Sequence, residues 1–297
     1  MTLEPLDLVG AAVIGLVAGL AGGLAGIGGS LIMLPGLAWV FGYPGGDYAR
    51  HHLYMASAMT VNVLVALPSA WRHHREGAVR FDLLKALFPA MLAAIVVGVL
   101  ISNLVHGEWL KLMLAAFIAA YCVMNLARII RRENESHEES RAERAGGGRL
   151  VAIGGAAGFA AGLLGLGGGV VMVPMLQVAA GVKLRQAIAT SSAVMALTAV
   201  VGATLKVSTL GSHDLSIADA LLLAAAMGPT AIIGARLGAP LTHRLPIIWV
   251  RTVITALLLL AAARLAGIWG GNPSGGGQEA APGVDSPSGA SPGPGAG

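Results

Sequence analysis

The sequence predicts an all-α polytopic membrane protein made of two homologous halves, arranged as inverted repeats with interrupted glycine-rich helices and roughly 8–10 membrane segments. Three observations predict it: a composition too apolar for water, a series of apolar runs long enough to span hydrocarbon, and a glycine block that occurs twice.

The 297 residues are 56% hydrophobic and 11% charged, with a mean hydropathy of +0.76. A soluble domain carries about 25% charged residues, so this chain lacks the polar surface to dissolve. The net charge of +4 does not point to nucleic acid, because the Arg and Lys residues sit in short loops between apolar runs. The single cysteine, Cys122, lies in an apolar run and can form no internal disulfide. Met1 to Asp7 hold two acids and no Lys or Arg, so no cleaved signal peptide is expected and the first span would drive insertion.

Apolar runs cover residues 8–41, 53–70, 84–105, 109–127, 150–181, 187–205, 217–241 and 247–269. Between the fourth and fifth lies RRENESHEESRAERAGGGR, residues 131–149, a solvated linker dense in both charge signs. It separates a first repeat, 1–130, from a second, 150–269. Residues 270–297 are mainly Gly, Pro, Ser and Ala with no Lys or Arg, a composition that cannot bury a core and reads as a disordered tail.

The duplication is explicit. Residues 18–35 read AGLAGGLAGIGGSLIMLP and residues 157–174 read AGFAAGLLGLGGGVVMVP. At one offset, 139, Gly15, Gly19, Gly23, Gly26, Gly28, Gly29, Met33 and Pro35 match Gly154, Gly158, Gly162, Gly165, Gly167, Gly168, Met172 and Pro174. Pro89 and Gly98 pair with Pro229 and Gly238 at offset 140. An ungapped block ending in the same proline is hard to obtain by chance.

Segments 8–41 and 150–181 are too long for one ordinary span. Each either returns to its starting side, as two short legs or a re-entrant hairpin, or crosses once. Arg and Lys favour the cytoplasmic side. If both segments return, one side collects 15 of the 19 Lys and Arg residues; if both cross once, the split is 12 against 7. The returning arrangement gives each half an odd number of crossings, which inverts the second half and places the linker in the cytoplasm.

The glycines divide into two groups. Gly15, Gly19 and Gly23, like Gly154, Gly158 and Gly162, recur every four residues, a spacing that lets helix backbones approach closely. Gly26, Gly28 and Gly29, with Ser30 beside them, and Gly165, Gly167, Gly168 and Gly169 are too dense to be an interface stripe. Each glycine costs a helix roughly 1 kcal/mol relative to alanine, so these blocks predict broken helices. A break inside a membrane is tolerated only where it is buried in protein or lines a wet cavity. Free amides at the start of the following half-helix would hold an anion without a charged side chain; the other reading of the blocks is a hinge or packing. No Gly-Lys-Ser/Thr follows either block, so a phosphate loop is excluded.

Polar residues within spans complete the candidate set. Thr190, Ser191 and Ser192 form a hydroxyl cluster, and Met55, Ala56 and Ser57 stand at the matching place in the first half, with Thr60 and Asn62 just beyond. Such hydroxyls either donate to an anion or bond back to their own helix. Arg236, in GARLG, either pairs with an anion or snorkels to the surface. Gln177 and Asn125 read as structural. His51-His52 and His73-His74 read as interfacial rather than metal-binding, since adjacent helical residues point apart. No metal, cofactor or catalytic constellation is expected, and an intramembrane enzyme is the weak second class.

The paired blocks closing on Pro35 and Pro174, with AIATSSA at 187–193, resemble the TauE/SafE family of sulfite and sulfonate exporters across residues 8–269. The resemblance implies a multi-pass permease of the bacterial inner membrane that moves small sulfur oxyanions or organosulfonates by alternating access, with an anion channel as the alternative. The glycine blocks and Thr190-Ser191 fit the family pattern, whereas MASA at 55–58 departs from it. The expected partners are a small anionic solute and the lipid bilayer, no nucleic acid, and an assembly in which a homodimer is allowed.

Overall fold

A computed structural model describes residues 5–26, 28–131 and 146–244, with isolated positions between 252 and 259. Most of the linker, most of the apolar run 247–269 and the whole tail lie outside the described residues. The described chain is helical throughout: α1 (Pro5–Ala25), α2 (Ser30–Val40), α3 (Arg50–Arg75), α4 (Phe81–Ser102), α5 (Gly107–Arg131), α6 (Gly147–Leu164), α7 (Gly169–Ala180), α8 (Leu184–Ser208) and α9 (Ile217–Arg244). Short 3-10 turns at Pro44–Gly46 and Leu210–His213 precede α3 and follow α8.

Among the described residues, seven helices are long and apolar enough to cross a membrane. The two that are not, α2 and α7, have 11 and 12 residues. At 1.5 Å per residue they reach about 16–18 Å, roughly half of a 30 Å hydrocarbon core. Large apolar side chains such as Leu6, Val13, Leu100 and Val123 lie exposed on the outside of the bundle, where lipid is their solvent. Trp39, Trp71 and Trp109 are exposed near helix ends, the level at which aromatic belts meet the headgroups.

Each glycine block makes one full-length helix and one half-length helix. In the first half, α2 doubles back along α1: Gly29 faces Ala18, Gly36 faces Ile14 and Gly10 faces Val40. Numbers that fall on one helix as they rise on the other mark antiparallel packing. Of the arrangements considered for segment 8–41, this is a return. The equivalent pair α6 and α7 also packs together, with Gly168 against Ala161.

The halves are joined by exchange. Helix α1 packs on α9, the counterpart of α4, and α6 packs on α4 itself. Gly15, Gly19 and Gly23 lie against the carbonyls of Met227, Ala231 and Ala235; Gly154, Gly158 and Gly162 lie against those of Leu87, Met91 and Ile95. The glycines of α9 and α4 reciprocate, Gly238 meeting the Leu20 carbonyl and Gly98 that of Phe159. The fourfold glycine spacing is thus a packing stripe, as its periodicity predicts, and its partner is the other half of the chain. Absent side chains let the backbones approach until van der Waals contact is made main chain to main chain.

Helices α3 and α8 form the inner pair. Their most apolar stretches are 67% buried, against 28–50% for the other five spanning helices. They run antiparallel: His52 meets Lys206, Met59 meets Gly202 and Ser69 meets Ser192.

Candidate functional site: the paired helix breaks

Both glycine blocks leave the helical conformation through left-handed residues. Gly26 and Gly28 have φ of 63° and 76°, and Gly165, Gly167 and Gly168 have φ of 70°, 73° and 79°. Side chains with a β-carbon rarely adopt these angles, which explains why the break needs glycine.

The two breaks meet on the inner pair. Gly26 lies against the Ile188 carbonyl and the Ser192 hydroxyl of α8, while Gly165 lies against Met55 of α3. Each break therefore rests on the long inner helix of the opposite half. Gly28 and Gly167 then converge on the same two side chains, Asn62 and Met195. A fully buried amide and a thioether thus fill the space between the breaks.

Asn62 organises the first break. Its Oδ1 accepts from the amide of Gly29 at 2.8 Å and of Ser30 at 3.2 Å, the N-cap and first residue of α2. Its Nδ2 donates to the Ser30 hydroxyl. The amides expected to be free are, in this half, held by a side-chain oxygen. The second break has no such cap. Gly169 turns its amide to the Gly167 carbonyl at 3.0 Å, and among the described residues no group accepts from the amides of Val170 and Val171. These are the orphan donors of a helix start, carrying the positive end of its dipole.

The hydroxyl cluster is placed at the same junction. Ser191 Oγ lies 2.9 Å from both the Gly26 and Ile188 carbonyls, tying α8 to the first break. Ser192 accepts from Ser69 at 3.3 Å. Thr190 Oγ1 accepts from the Arg80 amide at 3.1 Å, at the start of α4. Ser57 donates to Leu53 and Ala220 carbonyls, and Thr60 to that of Ala56. Ser191→Ala is expected to cost about 1 kcal/mol, one ordinary hydrogen bond, read as a lower melting temperature of the purified protein.

These bonds correct one correspondence between the halves. Ser57 bonds to Ala220, and Thr190 bonds to Arg80, the counterpart of Ala220 at offset 140. Ser57 is thus the equivalent of Thr190, at offset 133, and not of Ser192. The reason is a loop: nine residues, 41–49, join α2 to α3, whereas three, 181–183, join α7 to α8. That difference of six lowers the offset from 139 to 133.

Other sequence candidates fall elsewhere. Arg236 is exposed on the surface of α9, the placement of a snorkelling side chain. Gln177 is buried, and the Asn125 side chain lies outside the described residues. His51, His52 and His73 are buried within the protein near the ends of α3, and His74 is exposed. Sequence reasoning named Asn62 without making it a site residue and did not single out Lys206. Lys206 is fully buried in α8, one residue beyond the apolar run 187–205.

The sequence profile described as Sulfite exporter TauE/SafE matches residues 11–265. The probable membrane transporter protein MamO of Magnetospirillum gryphiswaldense is 26% identical over 288 residues, covering 87% of this chain and 45% of that protein. A probable membrane transporter protein of Haemophilus influenzae is 29% identical over 60% of this chain and 66% of its own length. One of Methanocaldococcus jannaschii is 25% identical over 64% and 68%. The chain spans under half the length of the MamO proteins it matches. No solved structure matches. The profile covers most of the chain, including both glycine blocks and the inner helices, and the chain belongs to the TauE/SafE family.

Proposed function

We propose that this protein is a permease that moves a small anion, of the sulfur oxyanion or organosulfonate class, by alternating access at the paired breaks. The observation that carries the reading is the pair of helix starts facing Asn62 and Met195. At one, two amides already hold an oxygen atom, Asn62 Oδ1; at the other, the Val170 and Val171 amides have no acceptor among the described residues. Helix starts of this kind favour negative charge. The family's description as sulfite exporters supports the sulfur oxyanion class.

The antiparallel register of α3 and α8 supports inversion of the halves, since equivalent helices of parallel repeats would run the same way. Rocking of one half against the other about this inner pair is the corresponding movement.

The test is counterflow of radiolabelled sulfite, sulfoacetate and sulfate into proteoliposomes, with a rubidium control. Saturable counterflow of at least one anion and none of rubidium is expected. Anion flux without counterflow makes the protein a channel, and no anion flux removes the reading. Inversion has its own check in cysteine accessibility: residue 183 is expected on the same side as residue 140 and opposite residue 45.

A further inference from the structure

Far from the breaks, the inner helices hold a second polar centre. Lys206 of α8 is fully buried, and its Nζ lies 2.9 Å from His52 Nδ1, 2.9 Å from Ser102 Oγ and 2.8 Å from Asn103 Oδ1. These three partners match the three hydrogens of an ammonium group. All are neutral acceptors, and among the described residues no carboxylate pairs with Lys206.

The centre is built on several elements. His52 comes from α3, and Ser102 and Asn103 from the end of α4. His213, in the turn after α8, stacks on His52 with ring centroids 3.9 Å apart. His51 of α3 also lies near Lys206, with its Nδ1 2.9 Å from the Tyr43 hydroxyl, and beyond it Lys111 of α5 lies over the Tyr43 and Tyr48 rings. Every one of these neighbours is neutral or cationic. Burial, and after it the Lys206 charge, holds His213 below the ordinary imidazole range.

A buried ammonium without a counter-charge is costly, and structural needs alone are met more cheaply by an apolar side chain. Losing one proton removes that cost: the neutral amine keeps two donors for two of its three acceptors. The pair thus has two hydrogen-bonded states that differ by one proton and one unit of charge. It is also connected to the candidate path. Ten residues separate His52 from Asn62 and eleven separate Met195 from Lys206, about 15 Å along each helix. The same two helices therefore carry both centres.

We propose that Lys206 with His52 is a proton-binding site whose loading accompanies anion movement through the paired breaks, an inference that rests on the permease reading above. The proton occupies Nζ in the loaded state and leaves to solvent in the unloaded one. A proton moved with a monoanion carries no net charge across the bilayer. Lys206 corresponds, at offset 133, to His73, which is buried near the other end of the inner pair. Each inner helix thus carries one buried basic side chain near its C-terminal end.

Two measurements on the full-length protein test this. In proteoliposomes containing pyranine, a sulfoacetate gradient is expected to drive a proton signal that falls at least about tenfold in Lys206→Met and His52→Asn, while labelled sulfoacetate exchange stays within about threefold of wild type. An undiminished proton signal in both variants, or sulfoacetate transport by the wild type with no proton signal, overturns the proposal. In detergent and without any anion, the wild-type melting temperature is expected to vary with pH between about 6 and 10, and this variation to flatten in both variants. Equal pH dependence in all three proteins overturns the site whatever the transport result. Flattening in a protein that moves no anion upholds proton binding and removes only the permease reading. If both buried variants fail to fold, Asn103→Asp decides: a carboxylate 2.8 Å from Nζ holds the proton there, so the proton signal is expected to fall and the pH dependence to move upward, and both identical to wild type overturn the proposal.

Discussion

Gly19→Ala is expected to destabilise this protein far more than a helix-favouring substitution should. On propensity alone, alanine stabilises a helix by about 1 kcal/mol relative to glycine. Here the added β-carbon would lie 2.1 Å from the Ala231 carbonyl oxygen, with the Ala231 Cα and carbonyl carbon at 2.7 and 2.8 Å. All three are backbone atoms of α9 and cannot turn aside as a side chain can. The two helices must separate, and every glycine of the stripe loses its contact. Overpacking a core costs about 1–3 kcal/mol even where side chains can adjust, so the net change for Gly19→Ala is expected at the upper end of that range or beyond. Gly155→Ala is the internal control. Gly155 stands in α6 one residue from stripe glycine Gly154, yet a β-carbon there meets nothing within 4 Å. Its melting temperature is expected to stay level or rise. Thermal melts of the two variants, read side by side, check the claim; equal effects would remove the packing role of the stripe.

Asn62→Leu is expected to abolish anion counterflow and to lower stability. The substitution leaves the Gly29 and Ser30 amides and the Ser30 hydroxyl without their partner, and each buried group left unsatisfied costs about 1–3 kcal/mol. It also places an apolar branch between the two breaks, against both Gly28 and Gly167. Asn62→Asp separates the two consequences. A carboxylate still accepts from both amides, and more strongly than a neutral oxygen, so the fold of the first break survives. The fixed negative charge then repels an anionic solute from the junction. Melting near the wild-type temperature with counterflow reduced at least about tenfold is the expected outcome. Wild-type counterflow in Asn62→Asp would place the solute path elsewhere.

Much of this architecture is legible along the chain because it rests on local properties. Hydropathy reports the transfer of a segment into hydrocarbon, which depends little on what the segment later touches. The spacing of Gly15, Gly19 and Gly23 announces a close helix contact, since a period of four is a property of one helix. The density of Gly165, Gly167, Gly168 and Gly169 announces a break, since helix propensity is local too. The burial of His51 and His52 is not legible for the same reason: which element covers a polar pair is not a local property. The alignment of Ser57 with Ser192 fails because a six-residue difference in loop length leaves no trace in composition.

By itself the sequence determined that the chain lives in a membrane, that it is doubled, and where its helices stripe and break. Only the tertiary structure decided that each stripe packs on the opposite half, that Asn62 sits between both breaks, and that Lys206 is buried among neutral acceptors. Those are contacts between residues mostly some 30 to more than 200 positions apart. Their energies depend on which backbone surfaces fit together, a choice that no periodicity within one segment can express.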